Sequence, residues 1–195
     1  MTTEPDEFNI ELTELEFKYD AADIKRTKFV EFAQANNPVK RVEVSGWDYY
    51  YSGSGLPFEF IRFREGGVAE LTIKMKNEEK NNNSRFELDL PLSSKVALWM
   101  VEKFVGLFGF KENFRVFKYC DIYWYEKVDI VFYIIYNKDM NEVGRRVEIE
   151  ARKDYPFKSA EEGTAEVKAM EAKMADIGIT PQMRLRKSMW EQFRK

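Results

Sequence analysis

Apolar and charged residues alternate along five stretches of this chain, and successive side chains of a strand point to opposite faces. Leu15, Phe17 and Tyr19 oppose Glu14, Glu16 and Lys18, while Ile61 and Phe63 oppose Arg62 and Arg64. Leu71, Ile73 and Met75 oppose Thr72, Lys74 and Lys76. Phe86, Leu88 and Leu90 oppose Arg85, Glu87 and Asp89. Val147, Ile149 and Ala151 oppose Arg146, Glu148, Glu150 and Arg152. These stretches belong to strands predicted over 8–19, 57–65, 68–76, 84–91 and 145–152, and three more strands are predicted over 40–51, 112–125 and 127–136. The turns Ser52-Gly53-Ser54-Gly55 and Glu65-Gly66-Gly67 separate successive strands, and Asn77 to Asn83 is a polar loop.

The period changes in three places. A helix is predicted over 21–35, with Asp20 as N-cap and Asn36-Asn37-Pro38 as its stop. A second runs from Ser93 or Ser94 to about Phe108, with Val96, Met100, Phe104 and Leu107 as its apolar stripe and Gly109 to end it. A third, over 160–176, places Val167, Met170, Met174 and Ile177 on one face. The basic, amphipathic segment 180–195 predicts a short C-terminal helix, and residues 1–7 a loose tail. The expected fold is α+β: one domain over 1–195, built on an antiparallel sheet that is curled or closed, with peripheral helices.

Composition narrows the chemistry. Of 195 residues, 31 are Lys or Arg, 34 are Asp or Glu, none is histidine and one, Cys120, is cysteine. Histidine-based triads, His-ligated zinc or iron, disulfides and CxxC pairs are therefore excluded. Catalysis has to use carboxylates, Lys, Arg, Tyr, or a hard oxygen-bound cation such as Mg2+ or Mn2+. A net charge of −3 argues against a generic nucleic-acid coat but leaves room for a local basic pocket. The acidic, polar start shows no signal peptide, and apolar runs such as 131–135 are too short to span a bilayer, so a soluble, cytoplasmic protein is expected.

Any one of these strands, taken alone, reads as half-buried with a solvated face. The signs of the set say more. Glu14/Glu16, Glu148/Glu150, Arg62/Arg64 and Lys74/Lys76 are like-charged neighbours on one face, about 6.5–7 Å apart. Such rows repel unless counter-ions lie between them. Paired carboxylates suit a divalent cation, and paired Lys and Arg suit a polyanion. If the sheet curls with these faces inward, a metal-bound polyphosphate satisfies both.

The residues that form these rows resemble the CYTH superfamily, the triphosphate tunnel metalloenzymes. Glu14-Leu15-Glu16-Phe17-Lys18 is similar to the family's ExExK, and Asp48-Tyr49-Tyr50 to its D-x-Y strand. Arg62-Phe63-Arg64 is similar to RxR, Leu71-Thr72-Ile73-Lys74 to LTxK, and Ser84-Arg85-Phe86-Glu87 to SRxE with Asp89 following. Arg115 and Lys118 resemble the basic residues after the central helix, and Gly144 to Glu150 resembles the closing GxFxEIE, with Val147 where the family has an aromatic. Arg186-Lys187-Ser188 resembles the C-terminal RKS segment. The resemblance spans roughly residues 8–190. It implies a closed eight-stranded antiparallel barrel that takes a triphosphate-bearing small molecule with Mg2+ or Mn2+. Glu14, Glu16, Glu148, Glu150 and Asp89 would hold metal. Lys18, Arg62, Arg64, Lys74, Lys76, Arg85, Arg115 and Lys118 would hold phosphates, and Asp139 or Glu87 would orient the attacking water, with Asp129 as a second acid in that region. Triphosphate hydrolysis is the expected activity. Cyclisation of ATP and binding of a polyphosphate or nucleotide without turnover are the alternatives. The resemblance implies a monomer or homodimer, with no membrane and no sequence-specific nucleic acid as partner. Trp47, Tyr49, Tyr50, Tyr51, Tyr123, Trp124 and Tyr125 read as core or tunnel wall, or as a stacking surface for a base.

Overall fold

Eight strands join edge to edge in one antiparallel sheet in the computed structural model, which describes residues 15–53, 58–66, 69–75, 87–93 and 95–194, with only the backbone of Phe58 and Glu87. The strands are β1 (Glu16–Asp20), β2 (Lys40–Ser52), β3 (Phe58–Glu65), β4 (Glu70–Met75), β5 (Glu87–Pro91), β6 (Lys111–Trp124), β7 (Val128–Tyr136) and β8 (Glu142–Ala151). The helices are α1 (Arg26–Ala35), α2 (Leu98–Leu107), α3 (Ala160–Met174) and α4 (Met189–Phe193). The order across the sheet is β1-β8-β7-β6-β2-β3-β4-β5. Residues 8–14, 76–83 and 84–86 of the predicted strands and loop lie outside the described residues, as does Ser94.

The expected closed barrel is corrected to an open, curled half-barrel: among the described residues β1 and β5 are the two edges and do not pair with each other. The edge of β1 is occupied instead. Arg184 bridges antiparallel to Tyr19, and the Leu185 N–H donates to the Lys18 carbonyl at 2.7 Å. A strand edge satisfied in this way has no free ladder left for β5.

Curling separates the two faces. On the convex side, Phe17, Tyr19, Ile130, Phe132, Val147 and Ile149 pack against Phe29 and Phe32 of α1 and Val167, Met170 and Met174 of α3. Tyr49, Tyr51, Ile61, Phe63 and Leu71 pack against Val101 and Val105 of α2. Each such side chain contributes about 1.5–3 kcal/mol by leaving water, and together they fix which face of every strand is outward. The charged alternates are thereby turned onto the concave side. A third cluster sits at one end of that concave side, where Trp190 of α4 lies 5.2 Å from Phe60 and 5.7 Å from Phe114, between ring centroids. The C-terminal segment thus runs from the β1 edge across the mouth of the half-barrel. Its anchor is buried Glu171 of α3, which accepts from Tyr19 Oη at 2.9 Å and from Arg184 Nε at 2.6 Å.

Helix starts differ from expectation. α1 begins at Arg26, and Asp20 serves a turn, its Oδ1 accepting the Ala22 N–H. α2 begins at Leu98, and Ser93 Oγ accepts the Lys95 N–H instead of capping the helix. Three of the four residues of the stripe predicted for α2 face outward, Met100, Phe104 and Leu107 being 44%, 50% and 83% exposed, while Val96, ahead of the helix, packs against the core beneath it. α3 does bury Val167, Met170 and Met174, capped by Ser159. In the segment 180–195, only Met189–Phe193 is α-helical, held by a Ser188–Glu191 capping box. Among the described residues no helix is long and apolar enough to cross a membrane.

Candidate functional site

A cavity of about 480 Å3 fills the concave side, lined by residues of every strand and by the C-terminal segment. Its two halves differ in sign. Register places Glu16 of β1 opposite Glu150 of β8, and Glu150 opposite Asp129 of β7. All three line the cavity, so three carboxylates stand in a row across three strands. Like charges at the ~4.5–5.5 Å spacing of directly opposed Cβ atoms repel. One step along, Lys18 lies opposite Glu148, its Nζ 3.1 Å from Glu148 and 2.5 Å from Glu16. Tyr133 Oη donates to Glu148 at 2.7 Å. Burial pushes the Glu148 carboxyl up, but Lys18, Lys118 and the Tyr133 hydroxyl outweigh it and hold it below its ordinary value. Asp129 goes the other way: burial raises it to about 6, Arg152 opposing and Asp154 adding.

The basic half lies on β2, β3, β4 and β6. Its centre is Asp48, 1% exposed, which accepts from Arg64 Nε at 2.9 Å and sits 2.7 Å from Lys118 Nζ. Burial alone would raise its carboxyl, yet the charges of Arg64, Lys118 and Arg62 hold it far below the usual carboxylate range. Asp48 in turn raises Arg64. Arg62 Nη2 donates to Thr72 Oγ1 at 2.7 Å and to Glu70 at 3.2 Å, and the Thr72 hydroxyl donates to Asp89 at 2.8 Å. β2 and β3 approach tightly here: a Cβ on Gly46 would stand 2.0 Å from the Glu65 carbonyl oxygen. Lys153, just past β8, reaches Asp89 on β5 at 3.1 Å and Glu150 at 4.0 Å. It links the β5 edge to β8, across the open side of the half-barrel.

The cavity brings together Glu16, Lys18, Arg62, Arg64, Lys74, Asp89, Lys118, Glu148 and Glu150. Glu14, Lys76 and Arg85 lie outside the described residues, and Glu87 is described only by its backbone, opposite Lys74. Two candidates are elsewhere. Arg115 alternates to the outer face of β6, where it pairs with Glu112 at 2.6 and 2.7 Å and lies over the Tyr49 ring. Asp139 sits exposed in the β7–β8 turn, away from the cavity lining. Of the aromatic group, Tyr50 and Trp124 line the cavity, while Trp47, Tyr49, Tyr51, Tyr123 and Tyr125 pack into the two outer cores. Cys120 lines the cavity as a half-buried thiol that loss of solvent pushes up to about 11, which keeps it protonated.

Pattern reading missed Tyr133, Lys153 and Arg186 as lining residues, and used Asp48 only as part of a motif. β7 is apolar on both faces, so no alternation singles out Tyr133. Lys153 lies beyond the end of its strand. A divalent cation would find hard oxygen donors in Glu16, Glu148 and Glu150, which suit Mg2+ or Mn2+. As placed, these side chains are drawn to Lys18 and Lys153, and among the described residues no three acids close on one point.

No family model and no curated protein matches the sequence. Solved structures do match the fold. A conserved hypothetical protein from Pyrococcus furiosus is 19% identical with a TM-score of 0.69, over 91% of this chain and 98% of its own. A Vibrio parahaemolyticus protein described as a "putative adenylate cyclase" is 13% identical with a TM-score of 0.68, over 92% of this chain and 96% of its own. A chain of the Schizosaccharomyces pombe Mediator head module is 8% identical with a TM-score of 0.59, over 85% of this chain and 96% of its own. The chain shares its fold with these structures, and its own version of that fold is an open half-barrel.

Proposed function

We propose that the cavity holds a triphosphate chain between its basic and acidic halves and hydrolyses it with the help of Mg2+ or Mn2+. The observation that carries this reading is the division of charge within one cavity: carboxylates on β1, β7 and β8 face cations on β3, β4 and β6. Glu16, Glu148 and Glu150, with Glu14 by its motif and Asp89 assisting, would hold the cation, which supplies neutralisation of phosphate charge. Arg62, Arg64, Lys74 and Lys118 bind phosphate oxygens, and Lys18 serves both halves. Phosphoryl transfer needs mainly positioning and charge stabilisation, and side chains fixed before substrate arrives provide both. Asp48 does the fixing for Arg64 and Lys118. Water attacks the terminal phosphorus, the bond from phosphorus to the bridging oxygen breaks, and orthophosphate leaves. With Asp139 on an outer turn, Glu87, by its motif, and Asp129, which lines the cavity, are the remaining candidates for orienting that water.

One observation favours a second reading. Tyr50, Phe60 and Trp190, packed on one another, close one end of the cavity, and half-buried Trp124 also lines it and offers a ring on which a nucleobase can stack. A nucleotide held there would suit cyclisation of ATP, in which the 3′-hydroxyl attacks the α-phosphorus and pyrophosphate leaves.

Purified protein incubated with tripolyphosphate, ATP and other nucleoside triphosphates under Mg2+ or Mn2+, with products separated chromatographically, distinguishes the readings. Orthophosphate supports hydrolysis and cyclic nucleotide supports cyclisation. Tight binding without product supports a binding module. Glu148→Gln and Arg62→Ala should each lower turnover by about 100-fold or more. Unchanged activity in both removes the cavity from the reaction.

A further inference from the structure

α2 is apolar nearly all round, and one of its two apolar sides has no partner. Its sequence, Leu-Trp-Met-Val-Glu-Lys-Phe-Val-Gly-Leu, interrupts the apolar run only at Glu102 and Lys103. Val101 and Val105 use one side to pack on the sheet. On the other side Trp99, Met100, Phe104 and Leu107, with Phe108 just beyond the helix, are between 44% and 83% exposed. Five of the nine large apolar residues exposed among the described residues are thus gathered on this one short element. They form a continuous surface: Phe104 and Phe108 pack edge to face at 5.4 Å, and Lys103 Nζ lies 5.3 Å over the Trp99 ring. Helices apolar on every side belong in interiors, because their outward face gains nothing from water.

We infer that this face of α2 is an interface between two copies of the chain. Area and charge both point to a second copy. An aromatic side chain carries about 150–250 Å2 of surface, so the exposed parts of these five residues amount to roughly 500–600 Å2 per copy. Two such faces together remove on the order of 1,000–1,200 Å2, the lower end of what a specific dimer needs. The charge on this face is Lys103, laid over the Trp99 ring, and a single cation gives little pull toward an anionic lipid surface, which is held by clusters of basic residues. A face that is almost wholly apolar is complementary to itself, as an isologous pair requires. The small area makes the association weak, with a dissociation constant in roughly the micromolar range.

Sedimentation velocity of the full chain from about 2 to about 200 µM tests this. The wild type should move from monomer to dimer across that range. A Phe104→Glu/Leu107→Glu variant should stay monomeric throughout while keeping the wild-type circular dichroism and thermal midpoint. Val143→Glu, on an exposed apolar residue remote from α2 in the sequence, should dimerise like the wild type. A wild type that stays monomeric up to 200 µM overturns the inference, and so does a double variant that folds and dimerises normally. A monomeric wild type that co-sediments with anionic lipid vesicles, and loses this in the double variant, overturns it in favour of a membrane surface.

Discussion

Asp48 sits between Arg64 and Lys118 with almost no water around it, and the basic half of the cavity depends on it. Removing one partner from a buried charge cluster leaves the others uncompensated, typically at a cost of about 3–5 kcal/mol. Asp48→Asn should therefore destabilise the protein by that order at pH 7, as read from urea unfolding. The folded carboxyl is held below its unfolded value of about 3.9, so its contribution is fully present above that pH and is lost as pH falls toward the depressed folded value. The gap between variant and wild type should narrow steadily below about pH 4. A gap equally wide at pH 3 and pH 7 would mean that Asp48 acts through packing and not through its charge. At this scale much of the site could be read from alternation, because Glu16, Lys18, Arg62, Arg64 and Glu148 each have an apolar neighbour that the convex core claims. Arg115 went astray for the same reason: it sits an odd number of residues from Lys118, and only one of the two can face inward.

Among the elements, the C-terminal segment does what its length does not suggest. Five residues of α-helix carry Trp190, 5% exposed and packed on Tyr50, Phe60 and Phe114. Trp190→Ala should cost about 3–5 kcal/mol in denaturant unfolding, as large aromatic truncations in cores do. It should also raise KM for triphosphate more than it lowers kcat, because Arg186 and Lys187 of the same segment line the cavity. An unchanged KM would confine the segment to a structural part. The strands were readable because their alternation is strict, whereas helix starts were not. Asp20 and Ser93 are good caps, but the same side chains bond equally well to nearby backbone N–H groups in turns, as both do here. In α2 apolar residues surround the axis, so periodicity alone could not say which side meets the sheet.

For the whole molecule, the proposed function divides the work between the two halves of the cavity: the cationic half would grip phosphate and the anionic half would hold the metal that turnover needs. With a chelator present, tripolyphosphate should still raise the thermal midpoint, by the equivalent of about 2.7 kcal/mol at a hundredfold excess over its dissociation constant. Turnover should be absent until Mg2+ or Mn2+ is restored. Loss of the thermal shift in chelator would mean that the cations of β3, β4 and β6 cannot hold phosphate by themselves. Closure of the barrel could not be read from strand patterns, because nothing in them says that residues 184–185 will take the β1 edge. The same sheet order has a temporal side. A chain made from its N-terminus completes the cationic half, residues 40–124, before β7 and β8 exist, while β1, made earlier still, finds its neighbour β8 only at 142–151. Pairing across such a separation has to wait for the intervening chain and is slow. Until then the emerging polypeptide presents its Arg and Lys row with Asp48 and Glu70 beside it but without the acids of β7 and β8 that later face it.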